Sequence, residues 1–377
     1  MGGEAVLQPR VKGVRDVSAQ PTPAADADTR ESLAKYTTLR LGGPPRRLVT
    51  ATSTDEIVQS VRQAELRDEP ILVLAGGSNM VIGDGGFPGT VVLVRSRGTR
   101  TIAETSDTVT LRAEAGEPWD DFVARTVSDG LSGCECLSGI PGSCGATPIQ
   151  NVGAYGQEVA ETIHLVEAYD RVAGEVVRMS AAECGFAYRS SVFRHSDRWV
   201  LLAVDFTLTR SPLSAPIRYA ELARTLGVSV GDRVPLADAR AAVLALRAGK
   251  GMVLDPADPD TRSVGSFFMN PVLDAGAYER LRQRTAAAGL GEPTSWPGAS
   301  GVVKVSAAWL IERAGFGKGY PGPDGVAISS KHTLALTNRD AVATASLLAL
   351  AREIRSGVRD RFGVTLNPEP IMVNCEL

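Results

Sequence analysis

The stretch that most constrains how this chain folds runs from Leu137 to Gly156, where seven of twenty residues are glycine or proline. Glycine permits positive φ and close backbone approach to a ligand, while proline fixes φ. A linker can have a similar composition, but linkers are usually polar and repetitive. Apolar side chains are interleaved here, at Ile140, Ile149, Val152 and Tyr155. The composition therefore favours a buried or ligand-facing loop.

A second glycine-containing stretch runs from Ile71 to Val94. An apolar run at 71–74 opens into Ala75-Gly76-Gly77-Ser78-Asn79, and a second apolar run closes the stretch. This order predicts a strand, a glycine turn, a loop and another strand. Backbone N–H groups in such turns form concavities that suit a pyrophosphate. The spacing is neither the Rossmann pattern nor a P-loop, and a decorated hairpin is the alternative.

Length and charge limit the class of protein. With 377 residues and 44% apolar residues, the chain can form two or three packed domains. A net charge of −3 provides no electrostatic footprint for nucleic acid, and no apolar run approaches the roughly 18 residues of a membrane span. We therefore expect a cytoplasmic protein that binds neither nucleic acid nor membrane. We also expect it to be a monomer. Residues 1–30 lack an apolar signal region and are predicted to be a disordered tail.

The cysteines are expected to be free thiols. Their number is five, and an odd count without a secretion signal argues against a disulfide framework. Cys134, Cys136 and Cys144 lie close together in sequence, but no histidine has ligand spacing with them. We therefore predict no metal site.

Hydrophobic periodicity predicts the main helices and strands. Thr54–Leu66 is predicted to be a helix with Thr54 as its N-cap, and Thr101–Ala115 is predicted to be one alternating strand. The other predicted helices are Pro118–Asp129, Asp238–Leu246, Val305–Ala314 and Asn338–Phe362. The other predicted strands are Glu161–Tyr169, Glu175–Met179, Val200–Thr207 and Ile371–Val373.

Six short motifs occur in the order found in one known family. They are Ala75-Gly-Gly-Ser-Asn79, Ser138-Gly-Ile-Pro-Gly-Ser143, Gln150-Asn-Val-Gly-Ala-Tyr-Gly156, Tyr188-Arg-Ser-Ser191, Gly265-Ser-Phe-Phe268 and Asn367-Pro-Glu369. In these motifs the chain resembles the UDP-N-acetylenolpyruvoylglucosamine reductases, which belong to the vanillyl-alcohol-oxidase-type FAD-binding superfamily. The resemblance extends from about Tyr36 to Val373.

The resemblance implies an α+β fold: a vanillyl-alcohol-oxidase/PCMH-type FAD-binding fold of two α+β subdomains, followed by a C-terminal α+β substrate domain. The expected boundaries place the FAD-binding subdomains at 31–97 and 98–234, and the substrate domain at 235–360. A C-terminal segment, 361–377, carries Glu369.

The resemblance also implies a reaction. FAD, bound non-covalently, takes hydride from NADPH, and UDP-N-acetylglucosamine enolpyruvate is reduced to UDP-N-acetylmuramate. Arg189, Ser266 and Glu369 fall on the family's catalytic positions, with Ser266 as the proton donor. Without the resemblance, Ser266 would be interpreted as a cap or a satisfied core hydroxyl and Arg189 as a surface cation.

Further positions follow from the same resemblance. The cofactor-binding residues would be Ala75, Gly76, Gly77, Ser78, Asn79, Ser138, Gly139, Ile140, Pro141, Gly142, Ser143, Gly145, Asn151, Gly153 and Ala154. The substrate diphosphate would be held by Tyr219, Lys250 and Asn270, and the tyrosine indicates the tyrosine-loop (type I) branch of the family. Met269 is a departure, because many relatives have lysine at that position.

Two other classes of function stay open on the residues alone. A covalent-flavin oxidase of the same superfamily would share the glycine loops, but it would need a histidine or cysteine placed to bond the flavin. A non-catalytic nucleotide-sugar-binding flavoprotein would share the binding residues without the chemistry.

Overall fold

The computed structural model describes residues 31–298, 301–340 and 343–377. The predicted disordered tail at 1–30 lies outside the described residues. Residues 31–377 form one compact unit, and the finer division at 97, 234 and 360 stays a prediction.

A small parallel sheet with one helix begins the described chain. The elements of this part of the chain are β1 (Pro45–Ala51), α1 (Thr54–Leu66), β2 (Ile71–Leu74), β3 (Met80–Ile82) and β4 (Phe87–Val94). The strands β1, β4 and β2 pair in that order, all parallel. Ile57, Val61 and Ala64 on α1 are buried, as their helical spacing predicted. The predicted N-cap was wrong by one residue, because the Ser53 side chain accepts the hydrogen bond from the backbone N–H of Glu56.

The middle of the chain forms a larger antiparallel sheet. Its elements are β5 (Thr99–Glu104), β6 (Thr108–Glu114), α2 (Trp119–Ser128), β7 (Leu131–Ser132), β8 (Gly153–Ala154), β9 (Gln157–Glu158), β10 (Ile163–Asp170), β11 (Glu175–Ser180) and β12 (Trp199–Arg210). The strand order is β11-β10-β12-β6-β5, with β7 paired to β12, while β8 and β9 form a separate hairpin. The prediction of a single strand over 101–115 was wrong. The Thr105 hydroxyl accepts from the backbone N–H groups of Asp107 and Thr108 and so turns the chain into the β5–β6 hairpin.

Helix α2 anchors the start of the glycine loop. Trp119, Phe122 and Phe206 pack ring against ring in a buried cluster, with centroids 4.9 to 5.7 Å apart. The indole N–H of Trp119 donates to the Leu137 carbonyl at 3.0 Å. A buried indole needs such a partner, so the first residue of the loop is fixed against the sheet's core.

The remaining elements complete the chain. They are α3 (Ala220–Leu226), α4 (Leu236–Gly249), β13 (Val272–Leu273), α5 (Ala275–Ala287), β14 (Ser295–Pro297), β15 (Val303–Val305), α6 (Ala307–Arg313), β16 (Val326–Ile328), β17 (Leu336–Asn338), α7 (Thr344–Phe362) and β18 (Ile371–Val373). The long helix starts later than predicted, since 336–338 is a strand paired with β16. The Asp84 carboxylate accepts from the first N–H groups of α7, on Thr344 and Ala345, and thereby caps the helix.

The last strand returns the chain to its beginning. Strand β18, which was predicted, pairs in parallel with β3, and Ile371 donates its backbone N–H to the Asn79 carbonyl at 2.9 Å. This pairing places the residues just before β18 beside the first glycine turn. In the described part of the chain, no helix is long and apolar enough to cross a membrane.

Candidate active site

A cavity of about 350 Å³ brings the two glycine stretches together with all three predicted catalytic residues. Eleven of the fifteen predicted cofactor residues line it: Ala75, Gly76, Gly77, Ser78, Asn79, Ile140, Pro141, Gly142, Ser143, Gly145 and Gly153. Arg189, Ser266 and Glu369 line the same cavity. Residues that are far apart in sequence therefore share one site.

The two glycine stretches are joined directly. The Ser78 hydroxyl donates to the Pro141 carbonyl at 2.9 Å, and the Asn79 side-chain amide donates to the Gln150 side chain at 2.8 Å. A Cβ on Gly76 would lie 2.8 Å from the Cα of Gly142, closer than real Cβ contacts allow. Glycine is thus required at 76 because the two backbones touch.

The cavity wall has features that fit an anionic dinucleotide. Gly76, Gly77 and Ser78 donate no backbone hydrogen bond to any described residue, so their N–H groups are available to phosphate oxygens. The Ser143 hydroxyl is buried with no partner in the same part of the chain, and a buried hydroxyl normally has one. A second cavity of about 380 Å³ shares Ala75, Gly76, Gly142 and Ser143 with the first. The two cavities are adjacent along these residues, an arrangement that suits an elongated cofactor.

Four predicted cofactor residues do not line the first cavity. The Ser138 hydroxyl donates to the Glu135 carbonyl, and the backbone N–H of Gly139 donates to Asp120. The Asn151 amide donates to Glu158 and the Ala187 carbonyl, while Ala154 lies in β8. These contacts give all four a role in shaping the loop, and their contact with a cofactor stays a prediction.

Arg189 and Glu369 form an ion pair at the cavity, with Nε of Arg189 3.2 Å from Oε1 of Glu369. The Nη2 group of Arg189 also donates to the Gly153 carbonyl at 2.8 Å, and Nη1 donates to the Asn151 carbonyl at 3.4 Å. Arg189 has φ of 52°, a left-handed conformation that costs a non-glycine residue roughly 1–2 kcal/mol. Strain of this kind is typical of functional positions.

Ser266 sits at the cavity because its neighbours are firmly packed. Phe267 and Phe268 are buried, with ring centroids 5.1 Å apart. The backbone N–H of Phe267 donates to Leu334, and the carbonyl of Phe267 accepts from the N–H of Glu369. The second of these bonds holds the Ser266 segment beside the Glu369 segment.

Burial changes the acidity of Glu369. Its side chain is 17% exposed. Burial raises the pKa of Glu369, and the charges of Arg189 and Arg194 oppose this rise without cancelling it. The carboxyl is therefore closer to its protonated form than an exposed glutamate would be.

The three predicted substrate residues do not line this cavity. The Lys250 ammonium forms a 2.6 Å ion pair with Glu221 and lies 5.7 Å from the centre of the Tyr155 ring. The Tyr219 ring contacts the same Tyr155 edge-on, with centroids 5.5 Å apart, and Tyr219 is 45% exposed. The Asn270 side chain accepts from the N–H of Ala307. Lys250 and Tyr219 are thus brought together by Tyr155, and Asn270 lies apart from that contact.

Sequence reasoning missed three cations near the site. Arg194 and Arg247 line the cavity, and the ammonium of Lys304 lies 4.5 Å from the Tyr188 ring centre and 5.7 Å from that of Trp296. Arg247 lies three residues before Lys250, one of the predicted substrate residues, and this neighbour could have indicated it. Arg194 and Lys304 had no such signal, because a lone cation in a turn or strand is usually solvated.

The cysteine cluster does not form a ligand set. All five cysteines are free, and the described residues contain no group of three or more His, Cys, Asp or Glu side chains arranged to hold a metal. Burial raises the pKa of Cys136 to about 12 and also raises the pKa of Cys134 and Cys144 well above that of a free thiol. These thiols stay protonated and pack as small apolar side chains.

Comparison with known proteins defines the class first. Residues 45–180 match the family described as FAD binding domain, and these residues include both glycine stretches. A crystal structure of UDP-N-acetylenolpyruvylglucosamine reductase from Thermus caldophilus superimposes with a TM-score of 0.61 over 91% of this chain and 97% of that one, at 23% identity. The chain is therefore an FAD-binding flavoprotein with the expected α+β fold.

The particular family follows from closer relatives. Residues 256–373 match the C-terminal domain of UDP-N-acetylenolpyruvoylglucosamine reductase. The enzyme of that name from Salinispora arenicola is 69% identical over 95% of this chain and 99% of its own length, and the one from Thermobifida fusca is 59% identical over 92% and 97%. The chain belongs to the UDP-N-acetylenolpyruvoylglucosamine reductase family.

Proposed function

We propose that this chain reduces UDP-N-acetylglucosamine enolpyruvate to UDP-N-acetylmuramate with NADPH, a step of peptidoglycan precursor synthesis. The observation that carries the proposal is the meeting of Arg189, Ser266 and Glu369 in the cavity walled by the two glycine stretches. Bound FAD would supply the hydride transfer, from NADPH to the terminal alkene carbon of the substrate. Ala75–Asn79 and Ile140–Gly145 would hold the cofactor through the N–H groups and the Ser143 hydroxyl described above.

Arg189 would stabilise the charge that develops on the substrate. Hydride addition moves negative charge toward the conjugated carboxylate, where a fixed cation lowers the barrier most. A guanidinium is permanently charged and matches the shape of a carboxylate. Its bonds to Gly153 and Asn151 hold it in place before substrate arrives, so little reorganisation is needed.

Glu369 would assist as a protonated acid. A bare carboxylate next to the developing enolate would repel it, whereas a carboxylic acid can donate a hydrogen bond. The raised pKa of Glu369, caused by burial, favours that form. Protonation would also leave the charge of Arg189 free to act on the substrate.

Ser266 would supply the proton that completes the reaction. After hydride addition, the neighbouring carbon becomes strongly basic and takes a proton even from a weak acid. Position then matters more than acid strength, provided the reacting atoms approach to roughly 3–3.5 Å. No described residue accepts a hydrogen bond from the Ser266 hydroxyl, so the hydroxyl is available to a ligand.

The nucleotide end of the substrate would extend away from this cavity. Tyr219, Lys250 and Asn270 are the proposed diphosphate ligands, and the position of Tyr219 on an exposed turn before α3 supports a loop that closes over substrate. Lys250 would exchange its Glu221 partner for a phosphate. We further propose that the protein is a cytoplasmic monomer that binds neither nucleic acid nor membrane. The net charge of −3 supports the lack of nucleic-acid binding.

The two alternative classes predict different sites. A covalent-flavin oxidase needs a histidine or cysteine against the flavin, and the described residues that line the two cavities include neither. A binding module needs no strained arginine paired with a buried carboxyl. The observed site therefore favours the reductase.

An anaerobic absorbance experiment tests the proposal. The purified protein should be yellow and should release its flavin on acid precipitation. NADPH should bleach the flavin band, and UDP-N-acetylglucosamine enolpyruvate should then restore it. A flavin that stays with the precipitate would point to the oxidase, and a band that substrate does not restore would exclude the reductase.

A further inference from the structure

Arg194 lies at the same cavity as the proposed catalytic residues and contacts both of the segments that carry Arg189 and Glu369. Its Nη1 group donates to the backbone carbonyl of Arg189, and its Nη2 group donates to the carbonyl of Glu369 at 3.1 Å. One guanidinium therefore ties a turn near the middle of the chain to a segment near its end.

Apart from Arg194, the side-chain ion pair between Arg189 and Glu369 joins the two segments. The Arg189 turn is fixed on its other side, where Ser191 donates its hydroxyl to the Ile149 carbonyl at 2.6 Å. The Glu369 segment is fixed by its backbone bond to Phe267. Each segment is thus anchored to a different part of the protein, and Arg194 spans the gap between them.

The position of Arg194 also bears on the methionine at 269. Both terminal nitrogens of Arg194 lie 3.8 Å from the sulfur of Met269. Met269 is uncharged, so the positive charge beside it is that of Arg194. The Nε group of Arg194 is buried and has no partner among the described residues, which leaves one donor unused.

From this geometry we propose that Arg194 is a positioning residue for the substrate step. It holds the backbone carbonyls of Arg189 and Glu369 so that the Arg189 guanidinium contacts the Glu369 carboxyl. This inference rests on the proposed function and adds a residue to it. The charge of Arg194 has a second effect, because it lies beside the Glu369 carboxyl and favours its ionised form.

The same geometry predicts a change in pH dependence. The charged or titratable groups that face Glu369 are Arg189, Arg194 and Tyr188. Removing one of the two positive charges makes the ionised carboxylate less favourable, so the pKa of Glu369 rises further. The limb of the pH profile that reports Glu369 should therefore move to higher pH, whichever protonation state is active.

Three variants of the full-length, FAD-loaded protein test the proposal. Arg194→Gln removes the positive charge and the pair of hydrogen bonds to the carbonyls of Arg189 and Glu369, whereas Arg194→Lys keeps only the charge. Arg171→Gln is the matched control, because Arg171 also donates to a backbone carbonyl, that of Asp197, but does not line either cavity. The measurements are bound FAD, the thermal midpoint, substrate affinity by calorimetry, and stopped-flow traces of bleaching by NADPH and recovery with substrate.

Arg194→Gln should slow the recovery at least tenfold, leave bleaching within about twofold of the parent, and move the Glu369 limb upward by half a pH unit or more. Arg194→Lys should return the Glu369 limb to the pH of the parent but recover only part of the rate of flavin recovery. Arg171→Gln should change neither the limb nor the rate. A normal recovery rate in Arg194→Gln, or equal losses in both steps together with a lowered thermal midpoint, would overturn the positioning role. If the parent protein itself showed no recovery with substrate, the proposed function would fail instead.

Discussion

Arg189 and Glu369 meet across the cavity with 3.2 Å between Nε and Oε1, although one lies in the middle of the chain and the other near its end. The other two nitrogens of the Arg189 guanidinium are held by carbonyls of the glycine loop. The Arg189 guanidinium is therefore fixed by the loop on one side and by the C-terminal segment on the other. A chain that lacked residues 361–377 would have the loop but not a complete site.

Gly142 provides a test of the cofactor loop. It has φ of +126°, and a Cβ there would lie 3.0 Å from the Ser78 hydroxyl that joins the two glycine stretches. Gly142→Val should therefore lower FAD affinity tenfold or more while the far-ultraviolet circular dichroism stays close to that of the parent. Bound flavin and circular dichroism are measured on the same sample.

Two further glycines complete that comparison. Gly153→Val should also lose flavin and should in addition displace Arg189, because its Cβ would lie 3.2 Å from Nη1 of that arginine. Gly317→Val is the control, since nothing lies within 4 Å of a Cβ there. Full flavin occupancy in Gly142→Val and Gly153→Val would remove the basis for assigning this loop to the cofactor.

The proposed diphosphate contacts should affect binding more than chemistry. Lys250→Ala and Tyr219→Phe should raise KM for the enolpyruvyl substrate more than they lower kcat, because a diphosphate makes the same contacts in the ground and transition states. Loss of a charged hydrogen bond is worth about 1.5–3 kcal/mol, which corresponds to a rise of roughly 10- to 100-fold for Lys250→Ala.

Lys331→Ala is the matched control for that experiment. Lys331 is also a lysine paired with a carboxylate, Asp258, and it does not line the cavity. Its replacement should leave KM unchanged. An unchanged KM in both Lys250→Ala and Tyr219→Phe would contradict the diphosphate assignment.

His332 gives the stability of the protein a predictable pH dependence. Burial, helped by the charges of Lys250 and Lys318, lowers the pKa of His332 to about 4 from the usual 6.5. The folded protein therefore resists protonation of this ring, while the unfolded chain accepts a proton below pH 6.5. The stabilising contribution is fully present above pH 6.5 and is lost as the pH falls toward 4.

Replacing the ring should remove this contribution. One pKa unit is worth about 1.4 kcal/mol, so His332 contributes at most a few kcal/mol to the pH dependence of unfolding. The free energy of unfolding of His332→Gln, measured in urea between pH 7 and 4, should fall less steeply than that of the parent. Parallel curves for the two proteins would show that His332 does not titrate in this way.

Much of the site was predictable because its residues are contiguous in sequence. The glycine stretches and the flanking residues of Ser266 carry recognisable local patterns, and eleven of the predicted cofactor residues do line one cavity. The helix at 54–66 was predictable for the same reason, since three buried residues repeat along one face.

The features that were missed depend on contacts between distant segments. Helix α7 begins at Thr344 because Asp84, far away in sequence, caps it, and no local signal marks that start. Arg194 resembles any turn arginine until its two carbonyl partners are seen. The Asn151 side chain donates to Glu158 and to the Ala187 carbonyl, contacts that no local pattern indicated, and its contact with the cofactor stays a prediction.

Stopped-flow traces of Ser266→Ala test the central claim most directly, because only the substrate step would need the proton that Ser266 is proposed to donate. The variant should bind FAD and substrate, be bleached by NADPH at a near-normal rate, and recover with substrate 10² to 10⁴ times more slowly, a loss of roughly 3–5 kcal/mol. Ser266→Cys should keep part of the recovery rate, because a thiol is at least as acidic and similar in size. A normal recovery rate in Ser266→Ala would contradict the assignment of Ser266 as the proton donor.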